Sequence, residues 1–245
     1  MEVEFMGELI RHNLEGFYSH LSKHIVSKVT NHYIHLDEYP YKNIIFLRNF
    51  NEETIASITN DPELRKTFPT IIFHNNDTVH TARLKDKGFI PLTRWKGMAI
   101  TRSLTAVGIP GLEIIEVKNP SSYKQWKSVA YPVFHSAETE PHEMPYSRLY
   151  GLKESKLFLG LYNNKAACIG ALFETGTTSG IYFIGTHPEF RGLGLGSAIT
   201  RWLTSHARKE LIVLQASFDG HKMYLKLGFG DFCNFDLYRF MPDEN

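Results

Sequence analysis

Cysteine is scarce: Cys168 and Cys233 are the only two in 245 residues, too few for a cysteine-based metal framework. One disulfide between them is possible, and two free buried thiols are the favoured reading. Long apolar runs are also missing, since no stretch approaches the roughly 18 residues needed to cross a bilayer. The opening MEVEFMGELIRHNLEGF carries early acids and no apolar block of signal length. A soluble, cytoplasmic protein is expected. Neither charge is in excess: 27 Lys and Arg against 26 Asp and Glu leave a formal net charge of +1. That balance argues against nucleic acid or a membrane surface as partner. The 12 histidines are scattered without H-E-x-x-H or another tight ligand pair, so no metal site is expected.

What is present is enough for a folded core, with 42% hydrophobic residues, and the length allows one large domain or two modest ones. Residues 2–30 read as a helix, with Leu9, Leu14, Phe17, Leu21, Ile25 and Val29 on one face and His12, His20 and His24 on solvated ones. Short extended runs follow (HYIHLDEY, NIIFLRN), then a helix EETIASIT capped by Asn51 and a strand TIIFHN. A helix from about Thr78 to Lys87 stops at Gly88, and a strand runs from Phe89 towards Arg102. This alternation predicts an α/β lobe over 1–107, with Gly108-Ile109-Pro110-Gly111 as hinge.

The second domain is expected over 112–245. LEIIEV is a strand, and Ser121 caps a helix running to about His135. After an irregular acidic segment, SAETEPHEMPYS, a second helix is expected to about Glu154. KLFLGLY, AACIGALFET and GIYFIGT form an antiparallel meander, with Cys168 in its central strand as a core residue. A helix from Gly194 to about Lys209, a buried strand ELIVLQAS, a short helix GHKMYLKL ended by Gly228, and a strand Asp231–Phe240 complete the chain. The class is α/β (α+β), with a mixed, mostly antiparallel central sheet flanked by helices and a smaller α/β lobe in front.

Between the meander and its following helix stands Arg191-Gly192-Leu193-Gly194-Leu195-Gly196-Ser197. Bare backbone at a helix N-terminus is an anion site, so the loop suits the pyrophosphate of a nucleotide-bearing cofactor. A dinucleotide fingerprint would need glycine at Ser197 and far more chain downstream. An NTPase phosphate loop would need Lys followed by Ser or Thr, which is missing. A glycine-rich turn without ligand is the remaining alternative.

The run T-H-P-E-F-R-G-L-G-L-G, followed some thirty residues later by Y-L-K-L-G-F, resembles the GNAT superfamily of acyl-CoA-dependent N-acyltransferases. Arg191, Gly194 and Gly196 match its R/Q-x-x-G-x-G/A pattern; Tyr224, Gly228 and Phe229 match its C-terminal Y-x-x-x-G-F. The resemblance implies the acyl-CoA N-acyltransferase fold from about Leu112 onward. It implies acetyl-CoA as acyl donor, its pyrophosphate on the amides from Gly192 to Ser197, with Arg191 adding charge. It also implies that Ile184, Gly185 and Thr186 line the pantetheine arm, with the Thr186 N–H facing the thioester carbonyl, and that Tyr224 protonates the departing thiolate. Ser217 either touches the cofactor or caps the next turn. The general base stays open among His135, Glu138, Glu140 and Glu143, while Glu189 and His187 fit structural roles better.

The stretch Thr81–Ile90 can be laid over KMYLKLGFG, with Gly88-Phe89 on Gly228-Phe229 and Leu84 opposite Tyr224. The first half has no Arg-x-x-Gly-x-Gly loop, so it reads as a degenerate GNAT-like lobe or as an unrelated α/β extension. The expected activity is acetyl transfer from acetyl-CoA to a primary amine of a small molecule, peptide or protein. The alternative is a catalytically idle acyl-CoA-binding sensor or scaffold.

Overall fold

Helix α1 spans Glu2–Leu21, and Ile10, Leu14, Phe17 and Leu21 recur along it every three or four residues and are buried. Each such large apolar side chain contributes roughly 2 kcal/mol by leaving water. The helix stops short of the expected Thr30, because β-branched Ile25, Val26 and Val29 favour extended backbone and Ser27–Val29 forms strand β1. His20 also departs from expectation. Three residues after Phe17 it falls beside the apolar stripe, 8% exposed, with its ring 5.0 Å from that of His24. The computed structural model describes residues 2–38, 43–75, 84–101, 104–134 and 152–242.

Strands β2 (Tyr33–Leu36) and β3 (Ile44–Leu47) lead into helix α2 (Glu52–Thr59), helix α3 (Pro62–Thr67), strand β4 (Thr70–Asn75) and strand β5 (Phe89–Ile100). As expected, Asn51 caps α2, its Oδ1 accepting from Thr54 N–H at 2.8 Å. Helix α3 was not among the expected elements, although its start is marked: Asp61 Oδ1 accepts from the N–H groups of Glu63 and Leu64, with Pro62 in the first turn. The helix expected over 78–87 lies largely outside the described residues. The stop at Gly88 is present, with φ at +82°.

Strand β6 (Leu112–Glu116) precedes helix α4 (Pro120–Phe134). The cap is Asn119 rather than the expected Ser121, its Oδ1 accepting from Ser122 N–H at 2.9 Å, because Pro120 takes the first helical position. The helix expected up to Glu154 falls mainly outside the described residues. The meander is β7 (Ser155–Tyr162), β8 (Lys165–Glu174) and β9 (Thr178–Thr186), followed by a single 3-10 turn, Pro188–Phe190. Helix α5 (Leu195–His206) ends three residues before the expected Lys209, with Ala207 already extended. Strand β10 (Leu211–Ala216), helix α6 (Phe218–Leu227) and strand β11 (Gly230–Phe240) close the chain.

The chain divides into two compact units that are not contiguous halves. The first comprises Met1–Met98, Gln215–His221 and Asp231–Asn245; the second comprises Ala99–Leu214 and Lys222–Gly230. Strand order in the first unit is β1-β2-β3-β4-β11-β5, and in the second β10-β9-β8-β7-β6. Only β3/β4 and β9/β10 are paired parallel among the pairs with a described register. The sheet is thus mixed, mostly antiparallel and flanked by helices, as expected. In each unit a helical segment joins the parallel pair: α2 and α3 between β3 and β4, and α5 between β9 and β10.

Candidate active site

Strand β9 changes partners along its length. It pairs with β10 only over Thr178, Ser179 and Gly180, whereas its pairing with β8 continues to Thr186. Phe183 and Ile184 together face the single residue Gly170, which makes a bulge, and Phe183 takes φ +54°. Such a conformation costs a bulky residue on the order of 1–3 kcal/mol. The rings of Trp126 and Phe134 hold it, edge-on to Phe183 with centroids at 5.9 and 6.2 Å.

Past the bulge the ladder alternation fixes where backbone groups point. His187 N–H donates to Ala167 O at 2.8 Å, so the next pair, Thr186 and Cys168, is a non-hydrogen-bonded one. The Thr186 N–H and C=O are therefore turned away from β8, on the edge where β9 has left β10. Arg191 Nε lies 3.5 Å from that carbonyl oxygen. Gly185 presents its bare Cα to α4: a Cβ there would stand 2.9 Å from Val133 Cγ1 and 3.4 Å from Phe134 Cζ. Ile184 is half-buried and reaches towards Gly170.

The glycine loop follows. Gly192 and Gly194 have φ of +84° and +77°, a region that side chains other than glycine enter at a cost. Gly194 stands at the N-cap of α5 without any side-chain cap, and the first intrahelical bond there is Ala198 N–H to Gly194 O. The amides of Leu195, Gly196 and Ser197 thus head an uncapped helix, which concentrates positive potential at the loop. Arg191, Gly192, Leu193 and Gly194 are exposed, Gly196 and Ser197 half-buried, and Leu195 buried.

Gly196 is where three elements of the second unit meet. A Cβ on it would lie 3.3 Å from Thr186 Oγ1 and 3.4 Å from Met223 Sδ. Met223 is a contact without a motif to announce it, and it sets α6 against the start of α5. Tyr224, the next residue, is 7% exposed and packs edge-on to Phe229 at 5.8 Å. Burial pushes its phenol above the ordinary pKa, with no hydrogen bond or charge contributing. Ser217 belongs to the first unit. Its Oγ accepts from Gly220 N–H at 3.4 Å, as a turn cap does.

The other candidates separate cleanly. His187 caps the 3-10 turn through Nδ1, and the side chain of Glu189 is 75% exposed. His135, Glu138, Glu140 and Glu143 lie outside the described residues. Cys168 and Cys233 are both free and buried, and burial pushes each thiol up to about 12, so neither is a thiolate nucleophile at neutral pH. No described helix is long and apolar enough to cross a membrane.

Residues 120–229 match the model of the acetyltransferase (GNAT) family. No curated protein matches the sequence significantly. Among solved structures, a GCN5-related N-acetyltransferase from Kribbella flavida superposes with a TM-score of 0.69 at 14% identity, over 98% of this chain and 96% of its own. A GCN5-related N-acetyltransferase from Sphaerobacter thermophilus gives 0.56 at 13% identity, over 82% and 74%. A tandem GNAT protein from the clavulanic acid biosynthesis pathway gives 0.55 at 13% identity, over 87% and 80%. At these identities the likeness is one of fold. The family match spans both the glycine loop and Tyr224, so residues 120–229 are similar to the GNAT acetyltransferase domain, on a fold shared with solved members of that superfamily.

Proposed function

We propose that the second unit transfers an acetyl group from acetyl-CoA directly to a primary amine. The observation that carries this reading is the outward Thr186 N–H and C=O beside an uncapped α5 with two left-handed glycines. Amides from Gly192 to Ser197 suit a pyrophosphate, and Arg191 adds a positive charge at the same turn. The open edge at Ile184, Gly185 and Thr186 suits an extended amide-bearing arm. Ser217 keeps the turn-cap role, its hydroxyl accepting from Gly220 N–H.

Acetyl-CoA supplies a thioester, and the chain's own groups act on it. The Thr186 N–H is available to the carbonyl oxygen as negative charge grows there during attack by the neutral amine. When the C–S bond breaks, Tyr224 gives its proton to the departing sulfur; the attacking nitrogen releases one proton to water, and the phenolate takes one back from water, so the protons balance. No covalent enzyme intermediate is needed, which agrees with Cys168 being buried and protonated.

We also propose that the first half is a degenerate GNAT-like lobe. Gly88 and Gly228 both adopt positive φ, at 82° and 96°, and each is followed by a buried phenylalanine and a strand. Leu84 occupies the place of Tyr224, so this lobe lacks the acid.

Acetyl-CoA binding measured by calorimetry tests the donor site. Gly194→Glu sets a carboxylate at the loop in a strained conformation and is expected to abolish binding in a protein that still folds. Unchanged affinity in that variant would remove the loop from the site.

A further inference from the structure

The first unit contains a cleft of its own. Beyond the carboxyl ends of parallel β3 and β4 lies a cavity of about 380 Å³. Glu8 of α1, Arg48 and Asn49 after β3, and Phe73 and His74 of β4 are among its walls. Strand ends of this kind are where open sheets hold ligands, and the volume is that of a small-molecule pocket. The connection from β3 to α2 is Arg48-Asn49-Phe50-Asn51, without glycine. Asn51 already caps the helix, and Glu52 and Glu53 occupy its first turn. Two carboxylates there oppose a polyphosphate, so the cleft is unsuited to a second CoA.

Its charged groups differ in how far they are engaged. Arg11 is fully used: Nε donates to Glu8 Oε2 and Nη1 to Glu15 Oε2, both at 2.8 Å, and Nη2 lies 2.7 Å from His12 Nε2. Arg48 has a looser hold. Its buried Nε lies 3.5 Å from Glu15 Oε1 and makes no hydrogen bond among the described residues, while the side chain keeps 29% of its surface. Glu8 stays 40% exposed, with Oε1 3.5 Å from His74 Nδ1. Partial burial works to raise the Glu8 carboxyl, but the hydrogen bond and charge of Arg11 outweigh it and hold the pKa below the ordinary value. Burial lowers His74, which therefore stays neutral at pH 7 and adds no second full positive charge beside Glu8. Phe50 and Phe73 stack with centroids 4.3 Å apart and give the cleft an aromatic wall.

A cationic fork, a carboxylate and an apolar wall in one small cavity match a ligand carrying both charges. A simple acid or amine would engage only one of the two groups. We propose that this cleft binds an amino acid, its carboxylate on the Arg48 guanidinium, its ammonium on Glu8 and its side chain against Phe50 and Phe73. The proposal does not depend on the donor reading of the second unit.

The test is calorimetric titration of the full chain, without acetyl-CoA, by a panel of aliphatic and aromatic amino acids. The matching acids without the amine and amines without the acid serve as controls. At least one amino acid is expected to bind saturably and the single-charge controls at least tenfold more weakly. Arg48→Met and Glu8→Gln should each weaken it roughly tenfold to a hundredfold, Arg48→Lys less, and Gly194→Glu not at all. In isotope-labelled wild-type protein the same amino acid should shift the backbone amides of Asn49, Phe50 and His74, which needs no variant to fold. No binding by any amino acid, equal binding by the single-charge controls, undiminished binding by the folded Arg48 and Glu8 variants, or shifts confined to other residues would overturn the proposal.

Discussion

Tyr224 shows how much a single position can be asked to do. The same residue type on a solvated helix face would be an ordinary phenol. Here burial raises its pKa above the usual 10.0, so it holds its proton throughout the neutral range. The sign matters: a raised pKa preserves the acid as pH rises, so loss of the protonated phenol sets in only above about pH 10. Replacing Tyr224 by Phe keeps the ring and its contact with Phe229 while deleting the proton. Turnover is expected to fall by roughly a hundredfold, the scale of a general acid, with acetyl-CoA affinity unchanged. Steady-state kinetics alongside calorimetry separate the two effects. If the substitution removes binding as completely as Gly194→Glu, Tyr224 is a packing residue and the acid lies elsewhere.

The two helices that follow a parallel strand begin in opposite ways. α2 has a side-chain cap and acids in its first turn; α5 has a left-handed glycine and no cap. One helix start is satisfied by a side chain, and the other is the one proposed to receive the pyrophosphate. Removing the cap with Asn51→Ala should lower stability by about 1 kcal/mol, read from urea unfolding, without altering acetyl-CoA affinity. An unchanged unfolding midpoint would show that the cap is replaced by water at no cost. The cap at Asn51 and the turn that the glycine loop makes into α5 were legible in the sequence because each rests on local backbone chemistry. The bulge at Phe183 was not, since nothing local favours φ +54° for phenylalanine, and the rings of Trp126 and Phe134, distant in sequence, pack against it there. The end of α1 was misjudged because apolar spacing continues past Leu21 into residues whose β-branching favours a strand. At α4 the expected cap was two residues late, because Pro120 determines which residue precedes the first turn.

At the scale of the molecule, contiguity along the chain is a poor guide to compactness. Residues 215–221 and the last strand belong to the unit that begins at the N-terminus, with β11 pairing along β4 from Arg239 opposite Thr70 to Asn234 opposite Asn75. Pairing between segments so distant in sequence leaves no local signature, whereas the β7–β9 meander, with its short turns, was readable strand by strand. The second unit carries the glycine loop and Tyr224, and the first carries a cleft of different chemistry. The central claim is that the second unit is an enzyme rather than a holder of acyl-CoA. The most direct measurement is free CoA released from acetyl-CoA as a panel of amines is added to the full chain. The account predicts release that depends on an amine and disappears in Gly194→Glu. A folded protein that binds acetyl-CoA yet releases no CoA with any amine would contradict it and leave an idle sensor or scaffold in its place.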